Sequence, residues 1–209
     1  MRFRVTLREI APLVWREFEV PANYTLWDLH VAIQDAMGWD DCHLHVFRFA
    51  RSRGLKPVEL GIPDPDLPEG EDSVLPDWEH RASEFFSQAG VSATYEYDFG
   101  DGWEHDVRLE AVVLRAKGTK YPRCTGGERA CPPEDCGGPY GYSELLEILF
   151  DPAHEEFESR RAWVGTGFDP EKFKASAVKF KTPRPGGGVR SGRDGSGDHC
   201  ANSVFEAAA

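Results

Sequence analysis

Alternating apolar and polar residues at the start of the chain predict a β-hairpin followed by a helix. Residues 3–7 alternate in this way, and residues 14–20 repeat the alternation after a turn that contains a proline. The next apolar residues have a helical spacing: Leu26, Leu29, Ile33, Ala36 and Met37. Thr25 is a favoured N-cap and Gly38 a favoured C-terminal stop, so we expect a helix between them that lies on the sheet.

The following segment predicts a central strand and then a long loop. One strand face carries His43, His45, Phe47 and Phe49, and the other carries Leu44 and Val46. Apolar residues on both faces are typical of a strand inside a sheet. Residues 51–80 are rich in Pro, Asp and Glu and show no periodicity, which indicates a loop, and a short helix is expected over residues 81–89.

Residues 94–113 give the clearest hairpin pattern in the chain. Tyr95, Tyr97 and Phe99 alternate before a Gly-Asp-Gly turn, and Trp103, His105, Val107 and Leu109 alternate after it. We expect this aromatic face, including His105, to point inward. The carboxylates of Glu96, Asp98, Glu104 and Asp106 are expected on the opposite face.

Three further helices are predicted after the cysteine-rich segment, one from Ser143 through Leu149, one after Asp151-Pro152 and one from Asp169-Pro170. Together these elements predict an α+β fold, with helices packed on a mostly antiparallel sheet in a single domain, residues 1–181. Residues 182–209 are glycine-rich with few bulky apolar side chains, and we expect them to form a disordered tail.

The charge distribution disfavours non-specific nucleic-acid binding. Residues 1–170 contain 17 Lys and Arg against 32 Asp and Glu, whereas residues 171–209 contain 7 against 4. A body this acidic repels phosphates. The first residues lack the apolar core of a secretory signal, and no apolar run reaches the ~20 residues that span a membrane. We therefore expect a cytoplasmic protein that keeps its thiols reduced.

Residues 121–142, YPRCTGGERACPPEDCGGPYGY, place three cysteines among prolines and glycines, and their density of turn formers predicts a compact loop rather than a strand or helix. Cys124, Cys131 and Cys136 have a spacing compatible with zinc, for which His154 is the nearest fourth ligand in the sequence. Alternative interpretations are buried thiols or a redox role.

Two other groups of residues are candidates for chemistry. His30, His43 and His45, with Cys42 beside them, could converge if the first helix packs on the third strand, which makes His43 and His45 alternative metal ligands. The hairpin tip gathers Asp98, Asp101 and His105, and the cysteine loop adds Glu134, all of them candidates for acid-base catalysis. The alternative is that these residues have structural roles only, the histidines as core residues and the acids as solvated turn residues.

Several separated strings resemble one known family. They are LREIAPLVWREFEVPANYTLWDLHVAIQDAMGWDDCHLHVFRF, YEYDFGDGWEHDVRLE, YPRCTGGERACPPEDCGGPYGYSELLEILFDPAHEEF and WVGTGFDPEKF. In order and spacing these resemble the plasmid pRiA4b open-reading-frame-three-like family over residues 2 to 176. The resemblance implies an α+β fold and an association with plasmids, transposable elements and bacterial chromosomes, but no established reaction. Some members carry a resolvase-like label, yet the arginine-rich site around a serine that this chemistry needs is not found here.

The sequence thus favours a mobile-element-associated bacterial accessory or binding module with a zinc-type Cys/His site. Its partner is expected to be a protein or a small molecule. The alternative is a metal-dependent hydrolase or nucleic-acid-processing enzyme that uses the Asp/Glu/His hairpin and the cysteine loop.

Overall fold

A computed structural model describes residues 1–52, 54–64, 66, 70 and 73–183. The predicted disordered tail, residues 182–209, lies outside these described residues apart from its first two positions. The strands are β1 (Arg2–Leu7), β2 (Trp15–Glu19), β3 (His45–Phe49), β4 (Val58–Gly61), β5 (Leu75–Pro76), β6 (Ser92–Tyr97), β7 (Trp103–Ala111) and β8 (Arg123–Glu128). The helices are α1 (Leu26–Met37), α2 (Ala82–Phe85), α3 (Gly138–Phe150) and α4 (Phe157–Val164), and a 3-10 turn covers Ala175–Ala177.

The strands form one sheet in the order β5-β4-β3-β6-β7-β1-β2-β8. Within the described part of the chain, only the short β4–β5 pair is parallel, and every other neighbouring pair is antiparallel. The predicted α+β fold with a mostly antiparallel sheet is therefore confirmed, and β3 is an interior strand as its two apolar faces indicated. Among the described helices, none has the length and apolar character needed to cross a bilayer.

Helix α1 begins and ends at residues whose local capping interactions favour a helix boundary. The Thr25 side chain accepts a hydrogen bond from the Asp28 backbone N–H, and the Asp28 carboxylate accepts one from the Thr25 N–H, which completes a capping box. Gly38 ends α1 in the left-handed conformation, with φ of 94°. Both predicted helix boundaries are confirmed.

One face of the sheet forms the core, and the other is charged. Phe3, Val5, Leu7, Val107 and Leu109 are fully buried. On the opposite face Arg8 forms ion pairs with Glu104 and Asp106, as the alternation in β7 predicted for these two carboxylates.

The cysteine-rich segment is more regular than its composition indicated. Arg123–Glu128 forms the edge strand β8, and α3 already begins at Gly138 instead of Ser143. Gly127 lets the Phe173 ring pack closely on this strand, because a Cβ there would lie 2.3 Å from the ring. The prediction of a segment without strand or helix was therefore wrong for these residues.

Other boundaries also differ from the expected ones. Strands β4 and β5 lie inside the segment that was expected to be a loop, where their few residues leave no periodic pattern. Helix α4 begins at Phe157 rather than directly after Pro152. No helix starts at Asp169, where the Asp169 side chain accepts a hydrogen bond from the Glu171 N–H and closes a turn.

Candidate functional site

Three loops that are distant in the sequence meet at one end of strands β3, β6 and β7. They are residues 39–44 before β3, residues 98–102 between β6 and β7, and residues 131–137 before α3. We call this region the three-loop site. The register of the strands brings the loops together, since His45 pairs with Tyr97 and Tyr97 pairs with Trp103.

Hydrogen bonds between the loops fix their positions. The Trp39 indole N–H donates to the Pro132 carbonyl at 3.0 Å, which ties the first loop to the third. The Gly137 N–H donates to the Asp101 carboxylate at 3.1 Å, which ties the second loop to the third. The three loops therefore form a connected surface.

Three side chains at this site carry metal-ligand atoms, here called donors, that lie close together, and we call these three residues the outer set. His43 Nε2 lies 3.1 Å from Asp135 Oδ1 and 3.5 Å from Asp98 Oδ2, and one donor atom from each residue lies within 4.8 Å of the others. Asp98 Oδ1 accepts from the Gly100 N–H at 3.0 Å, so Oδ2 is the oxygen directed at the imidazole. The Asp135 side chain is 36 % exposed, whereas those of His43 and Asp98 are 13 % and 10 % exposed. An imidazole and two carboxylates with one open side can hold a divalent ion.

A second group of donors, the inner set, consists of Cys42, His43 and Glu134, again with donor atoms within 4.8 Å of one another. Glu134 Oε1 accepts hydrogen bonds from the Asp40 N–H at 2.8 Å and from the Tyr97 hydroxyl at 3.1 Å. Its Oε2 atom is buried and has no hydrogen-bond partner among the residues that the structure describes. Burial raises the pKa of Glu134 to about 7. A buried carboxylate oxygen without a partner is costly, and a bound cation would remove that cost.

Backbone strain accumulates around the same site. Five non-glycine residues in the described part of the chain have positive φ, and three of them are Asp41 (62°), Asp98 (56°) and Asp135 (54°). Aspartate tolerates this left-handed conformation better than most residues, but it still costs free energy. Strain of this kind is concentrated at functional sites, where the surrounding contacts maintain it.

A buried chain of hydrogen bonds supports the first loop from below. The Gln34 amide donates to the Tyr95 hydroxyl at 2.9 Å, so that hydroxyl is left to donate its proton to His30 Nδ1 at 2.8 Å. His30 then carries its proton on Nε2 and donates to Asp41 Oδ1 at 2.7 Å. Because Asp41 directly precedes Cys42, this chain positions the loop that carries both Cys42 and His43.

Comparison with known proteins identifies the family. The sequence profile described as Plasmid pRiA4b ORF-3-like protein matches residues 1–177. The chain belongs to this family. The resemblance seen in the sequence strings is therefore confirmed.

Two relatives show how far the similarity extends. Uncharacterized protein y4hQ of Sinorhizobium fredii (strain NBRC 101917 / NGR234) is 38% identical over 169 residues, which cover 79% of this chain and 81% of the relative. The crystal structure of a protein of unknown function, MM3350 from Methanosarcina mazei Go1, is 40% identical with a TM-score of 0.75, and the match covers 86% of this chain and 97% of that one. Neither relative's description states an activity.

In this family member, the four ligands proposed from the cysteine spacing do not form a donor group. Among the described residues, some groups of three ligand atoms lie within 4.8 Å of one another, and none of these groups contains Cys124, Cys131, Cys136 or His154. His154 is exposed, and its Nδ1 accepts a hydrogen bond from the Glu156 N–H. Burial raises the pKa of the Cys136 thiol to about 12 and that of Cys131 above its ordinary value, so both favour the neutral thiol.

The histidine cluster forms only in part. His30 and His45 stack with ring centroids 3.5 Å apart, and His45 Nε2 donates to the buried Asp77 carboxylate at 2.8 Å. Burial lowers the pKa of His45 to about 4. His45, an alternative ligand in the sequence, belongs to neither donor set, whereas the other alternative, His43, belongs to both.

The four residues predicted as candidates for acid-base catalysis do not all lie in the three-loop site as metal ligands. Asp98 and Glu134 are donors in the site, and Asp101 holds the turn to Gly137. His105 is fully buried, as its inward alternation predicted, and its Nδ1 donates to the Trp103 carbonyl at 3.1 Å. Burial lowers its pKa to about 4. His105 is thus a core residue.

The alternation pattern misplaced Asp98 and gave no indication of Asp135 as a donor. Asp98 was expected beside Glu104 on the charged face, but the strand ends at Tyr97, and the positive φ of Asp98 turns its carboxylate toward His43. Asp135 lies between a Pro-Pro and a Gly-Gly pair, where a turn acid was the simpler interpretation.

Proposed function

We propose that this protein is a mobile-element-associated bacterial accessory or binding module of the cytoplasm that binds a divalent metal ion at the three-loop site. The observation that carries the proposal is the convergence of His43, Asp98 and Asp135 from three separate loops. Zinc is the first ion to test, because it accepts all the donor types of the site: imidazole, carboxylate and thiolate.

The surroundings of His43 support a cation rather than an anion. Two carboxylates of the outer set face the imidazole, and the inner set adds Glu134 with its unpartnered oxygen. A divalent ion would neutralise the outer carboxylates and relieve their mutual repulsion. The net charge of −12 also disfavours phosphate-rich partners, so the partner is expected to be a protein or a small molecule.

One observation favours a second function, a metal-dependent hydrolase. Glu134 Oε1 accepts hydrogen bonds from Asp40 and Tyr97, while Oε2 has no hydrogen-bond partner among the described residues. A carboxylate oxygen of Glu134 also lies within 4.8 Å of a ring nitrogen of His43. A carboxylate in this position can accept a proton from a metal-bound water, which is the role of a general base in metal-assisted hydrolysis. Under this alternative, Glu134→Gln would retain the ion and lose any hydrolytic turnover.

The metal proposal is tested by calorimetric titration of the metal-stripped protein with zinc, beside His43→Ala and His154→Ala. We expect one zinc per chain for the native protein and for His154→Ala, and loss of at least about tenfold in affinity for His43→Ala. The His154 variant is the matched control, because it removes the imidazole that the cysteine spacing indicated. Zinc binding that survives His43→Ala would contradict the proposal, as would loss of binding in His154→Ala.

A further inference from the structure

The five donors of the three-loop site divide into two sets that share one imidazole. Within each set the donor atoms lie within 4.8 Å of one another, but the five donors together do not form a single group of that size. Two donors on the same ion lie at most twice the metal–ligand distance apart, about 4.6 Å even for Zn–S bonds. One ion therefore cannot bind both complete sets in this arrangement.

The two sets also differ in chemical softness. The inner set offers the sulfur of Cys42, which is 4 % exposed, together with an imidazole and a carboxylate oxygen of Glu134. The outer set combines the same imidazole with the carboxylates of Asp98 and Asp135. Thiolate ligands favour zinc and softer ions, and carboxylates favour hard ions such as Mn²⁺ and Mg²⁺. The inner set should therefore select soft ions, and the outer set hard ones.

The shared imidazole makes the two sets mutually exclusive. A neutral imidazole has one acceptor nitrogen, because the other nitrogen carries the proton. Whichever ion takes that nitrogen of His43 leaves the other set with only two donors. The site thus holds one ion at a time, in a position that depends on the element.

We propose that the three-loop site is a metal-selective site, in which soft divalent ions bind the inner set and hard divalent ions bind the outer set; this inference rests on the proposed function. On binding of a soft ion, the Cys42 thiol loses its proton to solvent and the sulfur–metal bond forms. A soft ion ties residues 39–44 to the cysteine loop. A hard ion ties the same two loops to the β6–β7 turn through Asp98.

The test compares Cd²⁺ and Mn²⁺ as soft and hard probes in four variants of the full chain. Cys42→Ser and Glu134→Gln alter the inner set, and Asp98→Asn and Asp135→Asn alter the outer set. Asparagine suits both positions with positive φ, and the side-chain oxygen that Asp98→Asn retains can still accept from the Gly100 N–H, so both variants are expected to fold. Near-ultraviolet circular dichroism and thermal unfolding check that each variant is folded.

We expect the two pairs of variants to have opposite effects on the two ions. The inner-set variants should weaken Cd²⁺ binding by at least about tenfold and change Mn²⁺ affinity by less than about threefold, while the outer-set variants do the reverse. The thiolate-to-metal absorption of the Cd²⁺ complex should disappear in Cys42→Ser, and Cd²⁺ and Mn²⁺ should compete for one ion per chain.

Other outcomes overturn the inference in distinguishable ways. Equal weakening of both ions by all four variants would show a single shared site, and two ions bound at once would show that His43 does not make the sets exclusive. Either result would leave the proposed metal function standing. Failure of the folded native protein to bind either ion would overturn both proposals.

Discussion

Gly138 lies against the backbone of the β6–β7 turn, and this close approach places the third loop of the site. A Cβ at this position would lie 2.3 Å from the Asp101 carbonyl oxygen, and the residue has φ of 69°. A side chain would therefore be strained by the backbone conformation and would also displace the turn that carries Asp98.

Gly138→Ala should accordingly destabilise the protein more than Gly118→Ala does. Gly118 has a similar φ of 79°, but no atom of the described residues lies within 4 Å of an added Cβ, so its substitution costs only the left-handed penalty of about 1–2 kcal/mol. We expect urea unfolding to show an additional cost of at least about 1 kcal/mol for Gly138→Ala. Equal losses in the two variants would mean that the contact with Asp101 relaxes without cost.

Individual residues differ in how far the sequence predicted their roles. His105 follows the alternation of β7 and points inward as expected. Asp98 follows the same alternation in the sequence, yet its positive φ redirects its carboxylate to His43. Periodicity predicts a side chain's direction only while the strand continues, and His43 and Asp98 both lie just beyond a strand end.

Helix α1 supplies the base on which the first loop of the site rests, and its ends were predictable because capping is a local property. The reciprocal bonds of Thr25 and Asp28 depend on residues three apart. The edge strand β8 was not predictable in this way, because it depends on pairing with β2, more than a hundred residues earlier.

Thr25→Ala should destabilise the protein by about 1 kcal/mol, the usual effect of losing an N-cap side chain. Thr25→Ser retains the hydroxyl that accepts from the Asp28 N–H and should remain within a few tenths of a kcal/mol of the native protein. Chemical unfolding of the three proteins measures these differences. If the serine variant loses as much as the alanine variant, the threonine methyl group rather than the cap stabilises this end of α1.

Taken as a whole, the molecule combines a predictable fold with a site that the sequence only partly indicated. The family was predicted from long sequence strings, and the α+β fold was predicted from the periodicity of apolar residues. The donor sets could not be predicted, because His43, Asp98 and Asp135 are brought together by the sheet order β3-β6-β7 and not by any spacing along the chain.

Global stability should depend on pH through His105. Burial lowers its pKa from 6.5 to about 4, so between these values the unfolded chain binds a proton that the folded protein does not. The contribution to folding is complete above pH 6.5 and is lost as the pH falls toward 4. Over this pH window the free energy of unfolding of the native protein should fall by on the order of 3 kcal/mol more than that of His105→Gln. Parallel pH dependence of the two proteins in urea unfolding would show that another group governs acid stability.

The claim that His43 is the shared ligand is tested most directly by nuclear magnetic resonance of the imidazole nitrogens during a zinc titration. The chain has seven histidines, which can be assigned by substitution. We predict that the ring resonances of His43 show the largest change, with saturation at one zinc per chain, and that those of His154 do not change. A spectrum in which His154 shifts while His43 keeps its position would contradict the three-loop site and would favour the ligands that the cysteine spacing first indicated.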